Sequence, residues 1–332
     1  MSEPLLSVRG LRKLFPVKTI SWRSRQQRFV HAVDDVSFDL AAGEALALVG
    51  ESGCGKSTLA LTLLGLEAPT AGNIRFERQE LAGAPAAAWR QARRHIQMIF
   101  QDPYESLNPL MTVGEIVAEP LEVHKIGGNR DERRKRILLA LEDAGLKPAE
   151  HFVARFPHEL SGGQRQRVAI AAALVLEPRL LVADEPVSML DVSIRAEILS
   201  LLADLKTRRS IALLFITHDL GTVSAVADRI AVMYLGRIVE IGAVNSVMTA
   251  PQHPYTRALL SVVPAPNPRL RRQHIILQGE TPDPVNLPTG CRFAPRCPVA
   301  VARCRESDPA LRPVAADHAA ACIRLDDPPL FP

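Results

Sequence analysis

"GESGCGKS", residues 50–57, decides the fold. It fits the pattern G-x-x-x-x-G-K-[ST], in which glycines let backbone N–H groups turn inward around phosphate oxygens. Gly50, Glu51, Ser52, Gly53, Cys54 and Gly55 make the loop, and Cys54 reads as a small filler whose backbone matters. Lys56 would reach the β- and γ-phosphates, Ser57 would ligate Mg²⁺, and Thr58 follows on the helix start. A pattern this short can match by chance, so its surroundings decide. "ALALV" (45–49) precedes it as a continuous apolar run, expected of a strand buried on both faces of a parallel sheet. "STLALTLLGL" (57–66) follows as an apolar helix that offers its positive N-terminus to the same anion.

The chain repeats this strand-and-helix pattern further on. "LLVADE" (180–185) reads as a buried strand ending in Asp184 and Glu185. A nucleotide site needs one acid near the hydrated Mg²⁺ and another to orient or deprotonate water. "IALLFITHD" (211–219) is a second such strand, ending in His218 and Asp219. Both are flanked by helical segments, the alternation of an α/β protein with a parallel sheet. Upstream, "LLSVRGLRKLF" (5–15) reads as a strand, and 16–29 as a polar, basic loop. "AVDDVSFDLAAGEALALVG" (32–50) reads as two strands joined by an Ala-Ala-Gly turn. Residues 105–160 read as mostly helical, with breaks at Pro109, Pro120 and Gly127-Gly128.

The 332 residues leave room for one large domain and a smaller one. Hydrophobic residues are 47% and charged residues 23%, enough for a buried core and against global disorder. The net charge of +4 is too small to argue for nucleic acid. The basic run "RDERRKR" (130–136) reads as the solvated face of a helix. The N-terminus carries no signal-peptide stretch, and no run reaches the ~20 apolar residues of a membrane span. A cytoplasmic protein with reduced thiols is expected.

"LSGGQRQR" (160–167) sets Ser161, Gly162 and Gly163 before an Arg-rich helix. On its own this is an N-capped helix start or a second anion-binding one. In company it is decisive. The phosphate loop, "FQDP" (100–103), "LSGGQ", "LLVADEP", "SMLD" (188–191) and "ITHD" (216–219) resemble the nucleotide-binding subunits of ATP-binding cassette (ABC) transporters, in that family's order and spacing. The resemblance covers about residues 5–250. It implies a P-loop nucleotide-binding domain with a parallel-sheet core, an antiparallel β subdomain and a helical subdomain at about 102–175.

The resemblance also implies roles. Glu185 would be the catalytic base, His218 would hold the γ-phosphate, and Gln101 would sense the water and Mg²⁺. Mg²⁺ would be held by Ser57, Gln101 and Asp184. Ser161, Gly162, Gly163 and Gln164 would grip ATP bound to the other subunit of a head-to-tail pair, with Asp191 in the loop crossing that interface. Phe15 would stack on adenine, with Phe29 as runner-up. Met189 and Ala172 depart from the family's usual alanine and arginine, which touches interface details rather than phosphate contacts.

"FVHAVDDVSF" (29–38), "IFQDPYESLNP" (99–109), "FPHELSGGQRQRVAIA" (156–171), "DEPVSMLDVSI" (184–194) and "PQHPYTRALLSVVP" (251–264) resemble the di- and oligopeptide importer branch. "YESLNP" and the N-terminal insertion look more like its second, F-type ATPase than its D-type. That implies a peripheral protein on the cytoplasmic face of the inner membrane. Its partners would be a second ATPase subunit, two permease subunits and an extracytoplasmic solute-binding protein. The competing reading, a soluble ABC-type ATPase acting on nucleic acid, usually brings two cassettes or a long coiled coil, and this chain has neither.

From about residue 250 the chain becomes proline-rich and poor in large apolar residues, so 251–332 reads as a small C-terminal extension after a domain of 1–250. It carries Cys291, Cys297, Cys304 and Cys322, spaced C-x₅-C-x₆-C-x₁₇-C. Disulfides are disfavoured in cytoplasm, and unliganded thiols are the plainest alternative. Structural zinc favours tighter C-x₂₋₄-C pairs. A cubane cluster spreads its ligand-accepting irons apart and suits wider gaps. A [4Fe–4S] cluster is the favoured expectation, which the importer resemblance also implies, with zinc next.

Overall fold

The structure is a computed structural model and describes residues 3–17, 27–263 and 274–327. Part of the expected 16–29 loop and the proline-rich 264–273 lie outside the described residues. The chain forms two compact units. One comprises Met1–Leu5, Leu40–Ala45 and Ala84–Ile216; the other comprises Leu6–Asp39, Leu46–Gly83 and Thr217–Pro332.

In the first unit the strand Leu180–Asp184 lies between Ile96–Ile99 and the strand that begins at Ala212, parallel to both. Every residue of Leu180–Asp184 is buried, as the continuous apolar run predicts. The helix Gly162–Leu174 packs on Val113–Val123 and Arg130–Asp143. Arg130–Asp143 buries only Ala140 and Leu141, so "RDERRKR" is the solvated face expected of it. Asn129 caps that helix by accepting from the Glu132 amide at 2.8 Å. The expected break at Pro120 does not occur, because Pro120 lies inside Val113–Val123. It stands in the last turn, so the helix forfeits the bond its N–H would have made to the residue four before it and ends shortly after. The capping box of Thr112 and Glu115 secures the other end.

In the second unit an antiparallel sheet runs in the order Phe29–Leu40, Leu6–Pro16, Ala71–Phe76, Gln79–Glu80. A further run of strands has the order Arg312–Ala315, His318–Ala320, Arg237–Ala243, Arg229–Tyr234, and then Leu46–Val49, which pairs in parallel with Arg229–Val232. Leu46, Ala47 and Val49 are wholly buried. A leucine so placed contributes about 1.5–3 kcal/mol over an exposed one.

The sequence reading gives the tail no strand, yet Arg312–Ala315 and His318–Ala320 join this run, antiparallel to Arg237–Ala243. A fully buried carboxylate anchors the junction. Glu240 accepts from the amides of Gln252 (2.6 Å) and His253 (2.9 Å), and lies 2.7 Å from His318 Nε2. Tyr234, Tyr255 and Phe293 form an aromatic cluster with centroids 4.7–5.4 Å apart. The tail thus borrows its core from residues 229–261.

Candidate functional site

The phosphate loop lies between the strand ending at Val49 and the helix Lys56–Leu63. Gly55 takes φ +107°, and a Cβ there would stand 1.9 Å from the Ala32 carbonyl oxygen. Only glycine fits. Gly53 also has positive φ, +78°, but a Cβ there meets nothing within 4 Å. The helix carries no acid in its first turn, so its leading N–H groups face an anion without competition. Lys56 is buried, and its Nζ donates to the carbonyls of Gly50 (2.8 Å) and Glu51 (2.9 Å). Ser52, Gly53 and Ser57 are exposed, and Thr58 lies in the helix's first turn. Burial pushes the Cys54 thiol up, which keeps it a neutral filler.

The other predicted residues of this unit are placed separately. Phe15 ends the strand Leu6–Pro16, half-buried, with Lys13 Nζ 4.6 Å from its ring centroid. Phe29 begins the strand Phe29–Leu40. His218 is exposed just beyond the strand Ala212–Thr217.

In the first unit the structure brings two predicted residues together. Gln101 Nε2 donates to Glu185 Oε2 at 3.2 Å. Glu185 has φ +47°, a left-handed conformation uncommon for a residue with a Cβ. Its amide donates to the Ile216 carbonyl at 2.9 Å, and its carbonyl accepts from the Ser188 hydroxyl at 3.0 Å. Such local strain is held where a side chain must be aimed. Asp184 precedes it, buried at the strand end.

Ser161 caps the helix Gly162–Leu174 reciprocally. Its Oγ accepts from the Gln164 amide (3.3 Å), and Gln164 Oε1 accepts from the Ser161 amide (3.0 Å). The Arg165 guanidinium stacks 4.2 Å over the Tyr104 ring, joining the segment after Gln101 to this helix start. Asp191 is the exposed N-cap position of Val192–Arg209, Met189 is exposed and Leu190 buried. Tyr104 and Leu110 are exposed, whereas Leu107 is buried.

The four tail cysteines are free thiols that line one small cavity together. Backbone amides of Phe293 and Ala294 serve the Cys291 sulfur, Val299 serves Cys297, and the Arg324 amide donates to Cys322 Sγ at 3.4 Å. Burial pushes Cys291 up to about 11 and Cys297 up to about 12, so a metal bound here must displace protons. Among the described residues no three His, Cys, Asp or Glu side chains come together as a single-ion site. The expected cluster or zinc site therefore finds no support in this arrangement: the four thiols share a cavity, but no metal-holding group is found among the described residues.

Sequence reasoning missed Arg296, Thr281 and Tyr255, which converge on Glu51 of the phosphate loop from more than 200 residues downstream. No local signal announces pairs so distant.

A phosphate loop, an aimed strand-end glutamate under a glutamine, and a capped Ser-Gly-Gly helix define an ATPase of the ABC cassette class. Residues 33–188 match the ABC transporter family, and 239–304 match the oligopeptide/dipeptide transporter C-terminal region. A Brucella ovis protein named for peptide import and ATP binding is 49% identical over 321 residues, covering 97% of this chain and 98% of its own. The oligopeptide transport ATP-binding protein OppF of Escherichia coli K12 is 46% identical over 97% of this chain and 96% of its own. Among solved structures, the cassette MJ0796 in a dimeric post-hydrolysis state bound to ADP and Pi has TM-score 0.63 and 29% identity, over 72% of this chain and 98% of that one. CbiO1 of Clostridium perfringens, part of an ABC transporter complex, has TM-score 0.64 and 30% identity, over 75% and 92%. The chain belongs to the ABC transporter ATP-binding proteins, in the branch that carries the oligopeptide/dipeptide C-terminal region. It is an ATP-binding and ATP-hydrolysing subunit. Among the described residues no helix is long and apolar enough to cross a membrane.

Proposed function

We propose that this chain hydrolyses ATP to drive import of di- and oligopeptides, as an F-type ATPase working with a second ATPase subunit. Two membrane permeases and an extracytoplasmic solute-binding protein complete the system, with this chain peripheral on the cytoplasmic face. The observation that carries the reading is one chain holding both the ATPase residues and the oligopeptide C-terminal region. The cassette would span 1–250, with a helical part at about 102–175 and the extension at 251–332.

Lys56 and the loop amides of Gly50 to Gly55 would hold the phosphates, and family likeness gives Ser57, Gln101 and Asp184 as the residues that would hold Mg²⁺. Glu185 takes the proton of the attacking water, which Gln101 orients. His218 steadies the γ-phosphate, and Phe15 stacks on adenine. Ser161 to Gln164, near Asp191, complete the site of the partner ATPase. An arginine finger given in trans is worth about 10³–10⁵ in rate, and a signature that closes the site from outside serves the same logic. Phe100, Tyr104 and Leu110 are exposed apolar side chains in the segment around and after Gln101, suited to a permease; the buried Leu107 is not.

Cys291, Cys297, Cys304 and Cys322 would hold a [4Fe–4S] cluster, which when bound supplies a structural or regulatory staple. Iron and sulfide analysis of anaerobically purified protein tests this, and stoichiometric zinc without iron overturns it. The function is tested by peptide uptake in vesicles holding the co-expressed subunits. Uptake that needs ATP and stops with Glu185→Gln supports import. ATP hydrolysis stimulated by nucleic acid, without uptake, refutes it.

A further inference from the structure

The phosphate-loop pattern fixes its glycines, lysine and serine but leaves its second position open. Here that position is Glu51, and the tail holds it on two sides. Arg296 grips the Glu51 carboxylate as a fork, Nη1 to Oε2 at 2.8 Å and Nη2 to Oε1 at 3.2 Å. Thr281 Oγ1 donates to the same Oε2 at 2.9 Å. The Glu51 amide donates to the Tyr255 hydroxyl at 2.9 Å. The Glu51 carbonyl in turn accepts from Lys56 Nζ at 2.9 Å. One residue therefore carries the nucleotide lysine on its backbone and the tail on its side chain. The Arg296 side chain is only 10% exposed and that of Glu51 29%, so the pair is largely shielded from water.

Arg296 is itself fixed within a tight turn. Its amide donates to Phe293 O at 3.0 Å, and the Ala294 amide donates to Cys291 O at 3.0 Å. Phe293 is 1% exposed and packs on Tyr255, the residue that receives the Glu51 amide. The turn thus reaches Glu51 by a charged route through Arg296 and an apolar route through Phe293 and Tyr255. Arg296 also neutralises a carboxylate within a loop whose ligand is a polyanion.

We propose that Arg296 is a positioning residue of the nucleotide site, so that the turn 291–297 sets ATP affinity from within the C-terminal extension. This rests on the ATPase reading. Cutting the fork frees the loop and leaves an unneutralised carboxylate in it. Both effects weaken nucleotide binding, and the second disappears if Glu51 is neutralised as well.

The test is equilibrium binding of a fluorescent ATP analogue with Mg²⁺ to the full chain, alongside its thermal unfolding midpoint. Arg296→Gln is expected to weaken binding about tenfold, equivalent to ~1.4 kcal/mol. Arg296→Lys, which keeps the charge but not the fork, falls between. Adding Glu51→Gln to Arg296→Gln regains part of the loss, a recovery that mere destabilisation would not give. Should Arg296→Gln fail to fold, Thr281→Val decides, with an expected loss of about threefold, or ~0.6 kcal/mol. Binding within 1.5-fold of wild type in the folded variant, or losses at Arg296 and Glu51 that simply add, overturns the proposal. Absence of MgATP binding in the wild type overturns the nucleotide reading, and this proposal with it.

Discussion

Gly55→Ala and Gly53→Ala separate backbone clash from backbone conformation within one loop. At Gly55 an added Cβ lies 1.9 Å from the Ala32 oxygen, while ordinary contact begins at 3.4 Å, so the loop must move by about 1.5 Å. Alanine at φ +107° adds strain of about 1–3 kcal/mol. Hydrogen bonds to phosphate tolerate only a few tenths of an ångström before they weaken steeply. Losing two charge-assisted bonds at ~1.5–3 kcal/mol each predicts at least a 100-fold loss of ATP affinity. Gly53→Ala meets no atom within 4 Å and bears only the cost of left-handed backbone, about 1–2 kcal/mol, largely taken from loop stability. Its affinity should fall by less than about tenfold. Equilibrium titration with a fluorescent ATP analogue, on variants shown by circular dichroism to be folded, measures both. Gly55→Ala binding within threefold of wild type, or Gly53→Ala proving the more damaging, would refute the reasoning.

Glu185→Gln should bind ATP with little change yet lose about 10²–10⁴ in turnover, read as phosphate release by the assembled transporter. Its amide can still accept from Gln101, so a loss of binding would point to a structural role instead. Tyr104→Ala and Leu110→Ser should keep ATP binding and uncouple peptide uptake; unchanged uptake in both places the permease contact elsewhere. His253 supplies a pH dependence: burial pushes its imidazole down from 6.5 to about 4, with the Glu240 charge opposing only partly. The unfolded chain therefore binds the extra proton between pH ~6.5 and ~4, so stability falls as pH drops through that window, by up to ~1.4 kcal/mol per unit. Protonation also removes the Nδ1 acceptor that caps Tyr255 N at 3.1 Å. Denaturant midpoints at pH 7 and 5 should show the slope in wild type and a flatter one in His253→Asn, which keeps a capping acceptor.

The phosphate loop and its backbone were legible because their geometry is local. Glycine, lysine and serine at fixed offsets between a buried strand and a helix dictate one conformation, as Gly55 illustrates. Family likeness gave Gln101 and Glu185 separate roles, but their hydrogen bond was not read, since nothing in "FQDP" or "LLVADE" states that they touch. Pro120 was misread because the helix Val113–Val123 runs on through it for only three more residues, a tertiary outcome that the local proline rule does not show. Nothing in "YESLNP" states that Leu107 is buried while Tyr104 is exposed, since a leucine in a polar segment gives no sign of which way it faces. The strand His318–Ala320, three residues of "HAA", is too short to have a period. It exists because Arg237–Ala243 offers it a partner and Glu240 offers His318 a carboxylate. Arg296 was invisible for a related reason: its partner is 245 residues away.

The pairing of His318–Ala320 with Arg237–Ala243 also bears on where the chain can be cut. A truncation after residue 250 would keep the phosphate loop, the "LSGGQ" helix start and the strand-end acids in the chain. It would also strip the backbone of Glu240, Ile241 and Gly242 of its neighbour along a mostly apolar strand. An uncovered strand margin of that kind is a template for another chain. The Glu240 carboxylate would lose His318 and the amides of Gln252 and His253 as well. The tail therefore acts as a hem on the sheet, and a trimmed cassette should precipitate for want of that border, besides losing the hold of Arg296, Thr281 and Tyr255 on Glu51.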